Sequence, residues 1–267
     1  MDDVIDEVSL GSRIQDAVDA YVATEPGRSV AIDTLRGVKV RAGRNADVPR
    51  PAASLLKVII AVAAYDKAAQ GGLDLDESVS RSSLGRTAYP SVLAAFADED
   101  LLTVHQLCRL MLITSDNAAA DLILARVGIE TVNETAGRLG TSHTKLVVGF
   151  RDDQLGQVGR QNITTAQDMN HVFAGLARNS RYSPILAALR NNLRNSRIPL
   201  RLPDTLPVAH KTGSLAGVVN NSGIIYGDQV DLAASFLSDH QKDQAKTSLE
   251  IGELVASVWS QLGEKLD

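Results

Sequence analysis

Ser54 and Lys57, in Ser54-Leu55-Leu56-Lys57, stand three residues apart at the start of an apolar segment. On a helix that spacing puts both side chains on one face, a turn apart. A serine hydroxyl needs a base to become a nucleophile, and a lysine serves as one only as the neutral amine. The run Leu55-Leu56-Lys57-Val58-Ile59-Ile60 offers the means, because desolvation penalises the ammonium and lowers its pKa. The helix start near Pro51 also leaves N–H groups that favour developing negative charge at Ser54. Ser115-Asp116-Asn117 adds a second hydroxyl able to relay a proton. Its Asn117 amide can accept from Lys57 while donating to a substrate carbonyl. In Lys211-Thr212-Gly213-Ser214, Lys211 offers a cation for an anionic substrate group and Gly213 permits close backbone approach to a ligand. The N–H groups of Ser214 and Ser54 can form an oxyanion hole.

Each motif alone has a plainer reading. Lys57 can be a lysine that snorkels from a core helix, Ser115–Asn117 a helix cap, and Lys211–Ser214 the polar start of a strand. A second Ser-x-x-Lys, Ser142-His143-Thr144-Lys145, leads into Lys145–Phe150, which reads as a strand. There positions i and i+3 face opposite sides, so this copy carries no chemistry.

Elements must hold these residues together. Leu10, Ile14, Val18 and Tyr21 give residues 9–22 a helical period. Val30–Ile32 and Val38–Val40 read as a hairpin turning at Arg36-Gly37. An apolar helix runs from about Ser54 to Gln70 and closes at Gly71-Gly72. The middle of the chain is mainly helical, with Thr103 capping a helix to about Ile113 and Thr164–Gln167 fitting a capping box. Val218–Tyr226 and Val230–Phe236 form a second hairpin through Gly227-Asp228, before an amphipathic helix near Lys246–Leu262. The expectation is an α/β (α+β) fold. Residues 1–50 and 201–267 build a lobe with an antiparallel sheet flanked by the terminal helices. Residues 51–200 build a helical lobe, and the site lies in the cleft between the two.

The order Ser-x-x-Lys, Ser-Asp-Asn, Lys-Thr-Gly at residues 54, 115 and 211 resembles the motif set of class A β-lactamases and penicillin-binding serine hydrolases. Leu102–Cys108, Asn117–Leu124 and Thr164-Thr165 also resemble stretches of that family. The resemblance implies cleavage of a cyclic amide through a Ser54 acyl-enzyme, or a related amidase, esterase or penicillin-binding activity. It implies that Lys57 activates Ser54, that Ser115 passes a proton to the departing nitrogen, and that Asn117, Lys211, Thr212, Gly213 and Ser214 bind substrate. Many members use an arginine for a substrate carboxylate, and Arg197 lies where some place it. One feature departs. The family's Glu-x-x-Leu-Asn string, which holds the deacylating water, has no counterpart; aligning Leu155 puts Asp152 at the Glu position and Gly156 at the Asn position. Asp152 is one methylene short and Gly156 has no amide, which puts deacylation in doubt.

The bulk numbers exclude other classes. Among 267 residues, 44% are hydrophobic and the net charge is −5, so no basic face for nucleic acid is expected. The arginines of 181–201 read as a solvated surface. One cysteine, Cys108, permits no intrachain disulfide and reads as a buried apolar residue. The acidic start Met1–Glu7 has no signal-peptide character, which reads as cytoplasmic, or as secreted or periplasmic if a leader has been removed. His105, His143, His171, His210 and His240 lack paired ligand spacing, so no metal or other cofactor is expected. The expected partner is a small β-lactam or related acyl substrate, with no membrane or nucleic acid, acting on a monomer.

Overall fold

The computed structural model describes residues 7–84, 90–150 and 161–266. The chain opens with α1 (Glu7–Ala23), β1 (Arg28–Arg36), β2 (Arg41–Arg44) and the two-residue β3 (Arg50–Pro51). A 3-10 turn at Ala53–Leu56 then leads into α2 (Lys57–Ala69). β4 (Ser78–Ser80), β5 (Leu101–Thr103), α3 (Val104–Ile113), α4 (Asn117–Val127) and α5 (Ile129–Arg138) follow. Next come β6 (Ile163–Thr164), α6 (Ala166–Arg178) and α7 (Ser183–Arg190). The chain ends with β7 (Val208–Leu215), β8 (Val218–Tyr226), β9 (Asp231–Ser238) and α8 (Gln244–Gln261).

Strands from the two ends of the chain meet in one antiparallel sheet, ordered β2-β1-β9-β8-β7. Its residues alternate between two cores, as a period of two requires. Val30 and Ile32 face a cluster with Leu10, Ile14 and Val18 of α1 and Ile251, Val255 and Trp259 of α8. Ala31, between them, faces a second cluster with α2 and α6. Tyr21 and Phe236 meet edge to face, centroids 6.1 Å apart, which ties α1 to β9.

The helical core is built round α2. Every residue from Lys57 to Asp66 is buried, as expected of a helix that is apolar on all sides. This is why a cation at its first position has so little water near it. Strand β7, at the sheet edge, carries Lys211–Ser214 past the start of α2.

Most of the expected elements appear near their expected bounds; three differ. The second strand of the first hairpin is Arg41–Arg44, pairing Ile32 with Ala42, so Val38–Val40 belong to the connection. The cap of α6 is Thr165, whose side chain accepts from Asp168 N at 3.0 Å, rather than Thr164. Lys145–Phe150 is no regular strand: only Lys145 bridges, to Ile163. The chain there is held by side chains instead. Asp168 accepts from Ser142 N (3.0 Å) and His143 N (2.8 Å), and Asn162 Oδ1 from Val147 N (2.7 Å).

The cap reading of the Ser-Asp-Asn motif holds at Asp116. Asp116 caps α4, accepting from Ala119 N at 3.0 Å, and its other oxygen accepts from Ser91 Oγ. Its neighbours are thereby free to face the cleft. Asp116→Ala is expected to lower unfolding stability by about 1–2 kcal/mol while Asp116→Asn loses less. Urea denaturation checks this, and equal stability of wild type and alanine variant would contradict the cap.

Candidate active site

Ser54 lies in the 3-10 turn, where side chains at i and i+3 eclipse. It therefore shares a face with Lys57, as the spacing predicts, although the α-helix proper begins only at Lys57. The turn is clamped from both sides. Ala52 N donates to Asn162 O (2.8 Å), and Asn220 Nδ2 donates to Pro51 O (2.8 Å). Between the clamps Ala53 sits at φ +47°, a left-handed conformation that costs a non-glycine roughly 1–2 kcal/mol. Such strain persists only where the surroundings over-determine it, typically beside a reacting group. Gly213 of β7 presses on the same turn. A Cβ there would lie 2.9 Å from Ala52 O and 3.3 Å from Ser54 N. The glycine thus lets the strand approach closely the turn that carries Ser54.

Lys57 Nζ donates to Ser115 O (2.6 Å), Asn117 Oδ1 (2.6 Å) and, more weakly, Ser115 Oγ (3.3 Å). It sits 4.7 Å over the Phe150 ring. No hydrogen bond joins it to Ser54 Oγ among the described residues. Burial pushes its pKa down to about 7, the charge of Arg194 adding to the effect while Asp116 and Asp121 oppose it. Lys211 is also wholly buried; burial and then Lys57 hold its pKa well below the usual lysine range. Its Nζ donates to Ser115 Oγ and Thr212 O, both at 2.9 Å.

Ser115 Oγ therefore accepts from two lysines. A hydroxyl has two acceptor lone pairs and one hydrogen, so Ser115 Oγ can face both lysines at once. Ser115 holds this position at φ +63°, a second strained residue at the site.

The cleft encloses about 520 Å³. Ser54, Ser115, Asn117, Thr212 and Ser214 line it, with Phe150 and Arg194. Lys57, Lys211 and Gly213 stand behind this surface. Arg197 does not line the cleft. Its guanidinium donates to Gly213 O (2.9 Å), to Asn220 O and to Ser214 Oγ (2.6 Å), which ties it to β7 and β8. It is buried, the exception among the 181–201 arginines, since Arg181, Arg190, Arg194 and Arg201 are exposed as the solvated-surface reading expects. Exposed Arg190 stacks on Tyr226, 4.4 Å from the ring centroid. Cys108 is buried as expected, with its thiol pushed up to about 12 by burial. Asp152 and Gly156 lie outside the described residues.

Sequence reading did not single out Phe150, Arg194 or His210. His210 is buried and kept neutral, its pKa pushed down to about 3 by burial, then by Lys211 and Arg197. One ring nitrogen faces Asn221 Nδ2 (3.1 Å) and the other Asn195 Oδ1 (3.0 Å); Asn221 also donates to Lys211 O (2.9 Å). The adjacency of His210 to Lys211 was the available signal, but the partners come from distant segments.

A serine beside a buried, desolvated lysine, with a second hydroxyl shared between two lysines at a sheet edge, is the machinery of a serine hydrolase that works through an acyl-enzyme. Comparison with known proteins sharpens this: residues 9–262 match the beta-lactamase enzyme family, and the chain belongs to that family as a class A β-lactamase-like serine hydrolase. It is 27% identical over 230 residues to the extended-spectrum beta-lactamase PER-1 of Pseudomonas aeruginosa, covering 78% of this chain and 72% of that one. Its fold is similar to the beta-lactamase of Sphaerobacter thermophilus (TM-score 0.84, 24% identity, 94% of this chain and 97% of that one). It is also similar to PBP-A (TM-score 0.80, 20% identity, 96% of each chain).

Two outcomes are expected. The neutral form of Lys57 prevails above its lowered pKa of about 7 and is lost as pH falls through it. Acylation of Ser54 by an activated ester should fall about tenfold per pH unit on the acid side; an acid side that stays flat would contradict this. Gly213→Ala should cut acylation by about a hundredfold or more by displacing the Ser54 turn, with the sheet retained by circular dichroism. Unchanged acylation would show that the turn tolerates the methyl group.

Proposed function

We propose that this protein hydrolyses β-lactams through a Ser54 acyl-enzyme. The observation that carries the reading is Ser115 Oγ held between Lys57 Nζ at 3.3 Å and Lys211 Nζ at 2.9 Å. Neutral Lys57 takes the Ser54 proton as Oγ attacks the lactam carbonyl carbon. The oxyanion that forms is received by the N–H groups of Ser54 and Ser214. The C–N bond then breaks, and the proton passes from Lys57 through Ser115 Oγ to the departing nitrogen. Water attacks the ester carbonyl and Ser54 Oγ leaves, which regenerates the free enzyme. Asn117 orients Lys57 and the substrate amide, while Thr212 and Ser214 offer hydroxyls to the rest of the substrate. Arg197 positions Ser214.

Asp152 is the proposed base for deacylation. Its shorter side chain, and a glycine where the family has an amide, favour a second reading in which the acyl-enzyme forms but clears slowly. Intact-protein mass spectrometry after mixing with benzylpenicillin separates the two. An adduct on the wild type that appears and then clears, absent from Ser54→Ala, is the expected result. A persistent adduct would contradict hydrolysis and support a penicillin-binding enzyme. No adduct with any of several β-lactams would overturn the reading.

A further inference from the structure

Asp66 follows Lys57 on α2 by about two and a half turns, which puts it on the opposite face of the helix. Its buried carboxylate lines a groove of about 580 Å³ between α5 and α6. That is the size of a pocket for a small organic molecule. Gly140, Ala174 and Gly175 keep the groove open, and Arg138 of α5 and Arg178 of α6 line it. None of its lining residues lines the cleft at Ser54.

The charges of this groove do not balance. Asp66 is the one carboxylate among the described residues that line it, and its charge is already shared. Its Oδ1 accepts from Tyr182 Oη (2.9 Å) and Arg181 Nη1 (3.3 Å), and its Oδ2 from Arg138 Nη2 (3.3 Å). Arg138 uses the same nitrogen for Thr135 Oγ1 (2.8 Å). Its Nε and Nη1 have no partner among the described residues. Arg178 makes no hydrogen bond or ion pair among the described residues. Nor does the end of α5 need these cations, because the backbone closes it. Gly140 N donates to Gly137 O (3.0 Å) and Thr141 N to Ala136 O (3.2 Å), round Gly140 at φ +85°. His171 Nδ1 donates to Gly140 O (3.0 Å) while its Nε2 accepts from Gln167 Nε2 (3.3 Å), which ties α6 to the end of α5.

We propose that the groove between α5 and α6 binds a phosphorylated small molecule, with Arg138 and Arg178 on its phosphoryl oxygens. A phosphoryl group carries up to about two negative charges and three acceptor oxygens, enough to engage guanidinium forks from two helices at once. A single fork already satisfies a carboxylate. The space that remains takes the organic part of the molecule. The site lies across α2 from Lys57, so failure of the Ser54 chemistry would leave it untouched.

Inorganic pyrophosphate, in buffer free of divalent cations, would be titrated calorimetrically into wild type, Arg138→Ala, Arg178→Ala, Arg194→Ala and Arg201→Ala, with malonate as the carboxylate counterpart. The wild type is expected to bind pyrophosphate with a Kd of about 1 mM or tighter and to prefer it to malonate about tenfold. Arg138→Ala and Arg178→Ala should each weaken binding about tenfold. Arg194→Ala at the cleft and Arg201→Ala beside α8 should leave it unchanged. Arg138 also bonds within the fold, but Arg178 does not, so Arg178→Ala decides the matter even if Arg138→Ala folds poorly. Absence of binding by the wild type up to about 10 mM pyrophosphate, or binding unchanged in Arg178→Ala, would overturn the proposal. Equal affinity for malonate, or a loss confined to Arg194→Ala, would overturn it too.

Discussion

The burial of Lys57, with no carboxylate hydrogen-bonded to it among the described residues, is the constraint on which the site depends. A depression of its pKa from 10.5 to about 7 corresponds to roughly 5 kcal/mol between its charged and neutral forms. A surface lysine could not be held so. The apolar surround of α2 supplies the desolvation, and that surround is the helical core itself. The acceptors offered to Nζ are a carbonyl, an amide oxygen and a hydroxyl. They hold the group in place without the Coulombic gain that an adjacent carboxylate would give the ammonium. Core and candidate base are thus one feature: what makes α2 a central helix also desolvates its first residue.

The remaining geometry follows from keeping Lys57 beside Ser54 and Ser115. Ala53 and Ser115 both take left-handed backbone conformations, and both are flanked by clamps. Asn162 and Asn220 hold the first; the Asp116 cap of α4 and the two lysines hold the second. At β7 a glycine leaves room where the strand meets the turn that carries Ser54. Behind the strand, Arg197, His210 and Asn221 replace water with fixed donors and acceptors. This buried polar layer lets a sheet edge stand next to the cleft with Lys211 fully enclosed. Each of its members is bonded, which is the condition for such a layer to rigidify rather than destabilise.

Much of this was legible in the sequence because periodicity and motif order report local structure. Leu10, Ile14, Val18 and Tyr21 are all buried on one face of α1, and the hairpin from Val218 to Phe236 forms as its alternation implies. Ser54, Lys57, Ser115, Asn117, Lys211, Thr212 and Ser214 come together at the cleft as their motifs suggest. The failures have a common cause. Apolar Val38–Val40 looks like a strand, yet register places Arg41–Arg44 opposite Val30–Asp33. Lys145–Phe150 looks like a strand, yet Asn162 satisfies its backbone instead. Arg194 and Arg197 look alike in sequence, yet only the packing of β7 and α8 decides which one is buried. Long-range partners, not local propensity, settle such cases.

The central claim is that burial makes Lys57 a neutral amine near neutral pH. Its most direct test is a ¹³C NMR titration of the wild-type protein labelled at lysine Cε, with the Lys57 resonance assigned by its loss in Lys57→Met. The account predicts a Lys57 signal that titrates near the lowered pKa of about 7, on the same curve as the acid side of Ser54 acylation. A Lys57 signal that remains in its protonated position through the whole alkaline range of the other lysines would contradict it.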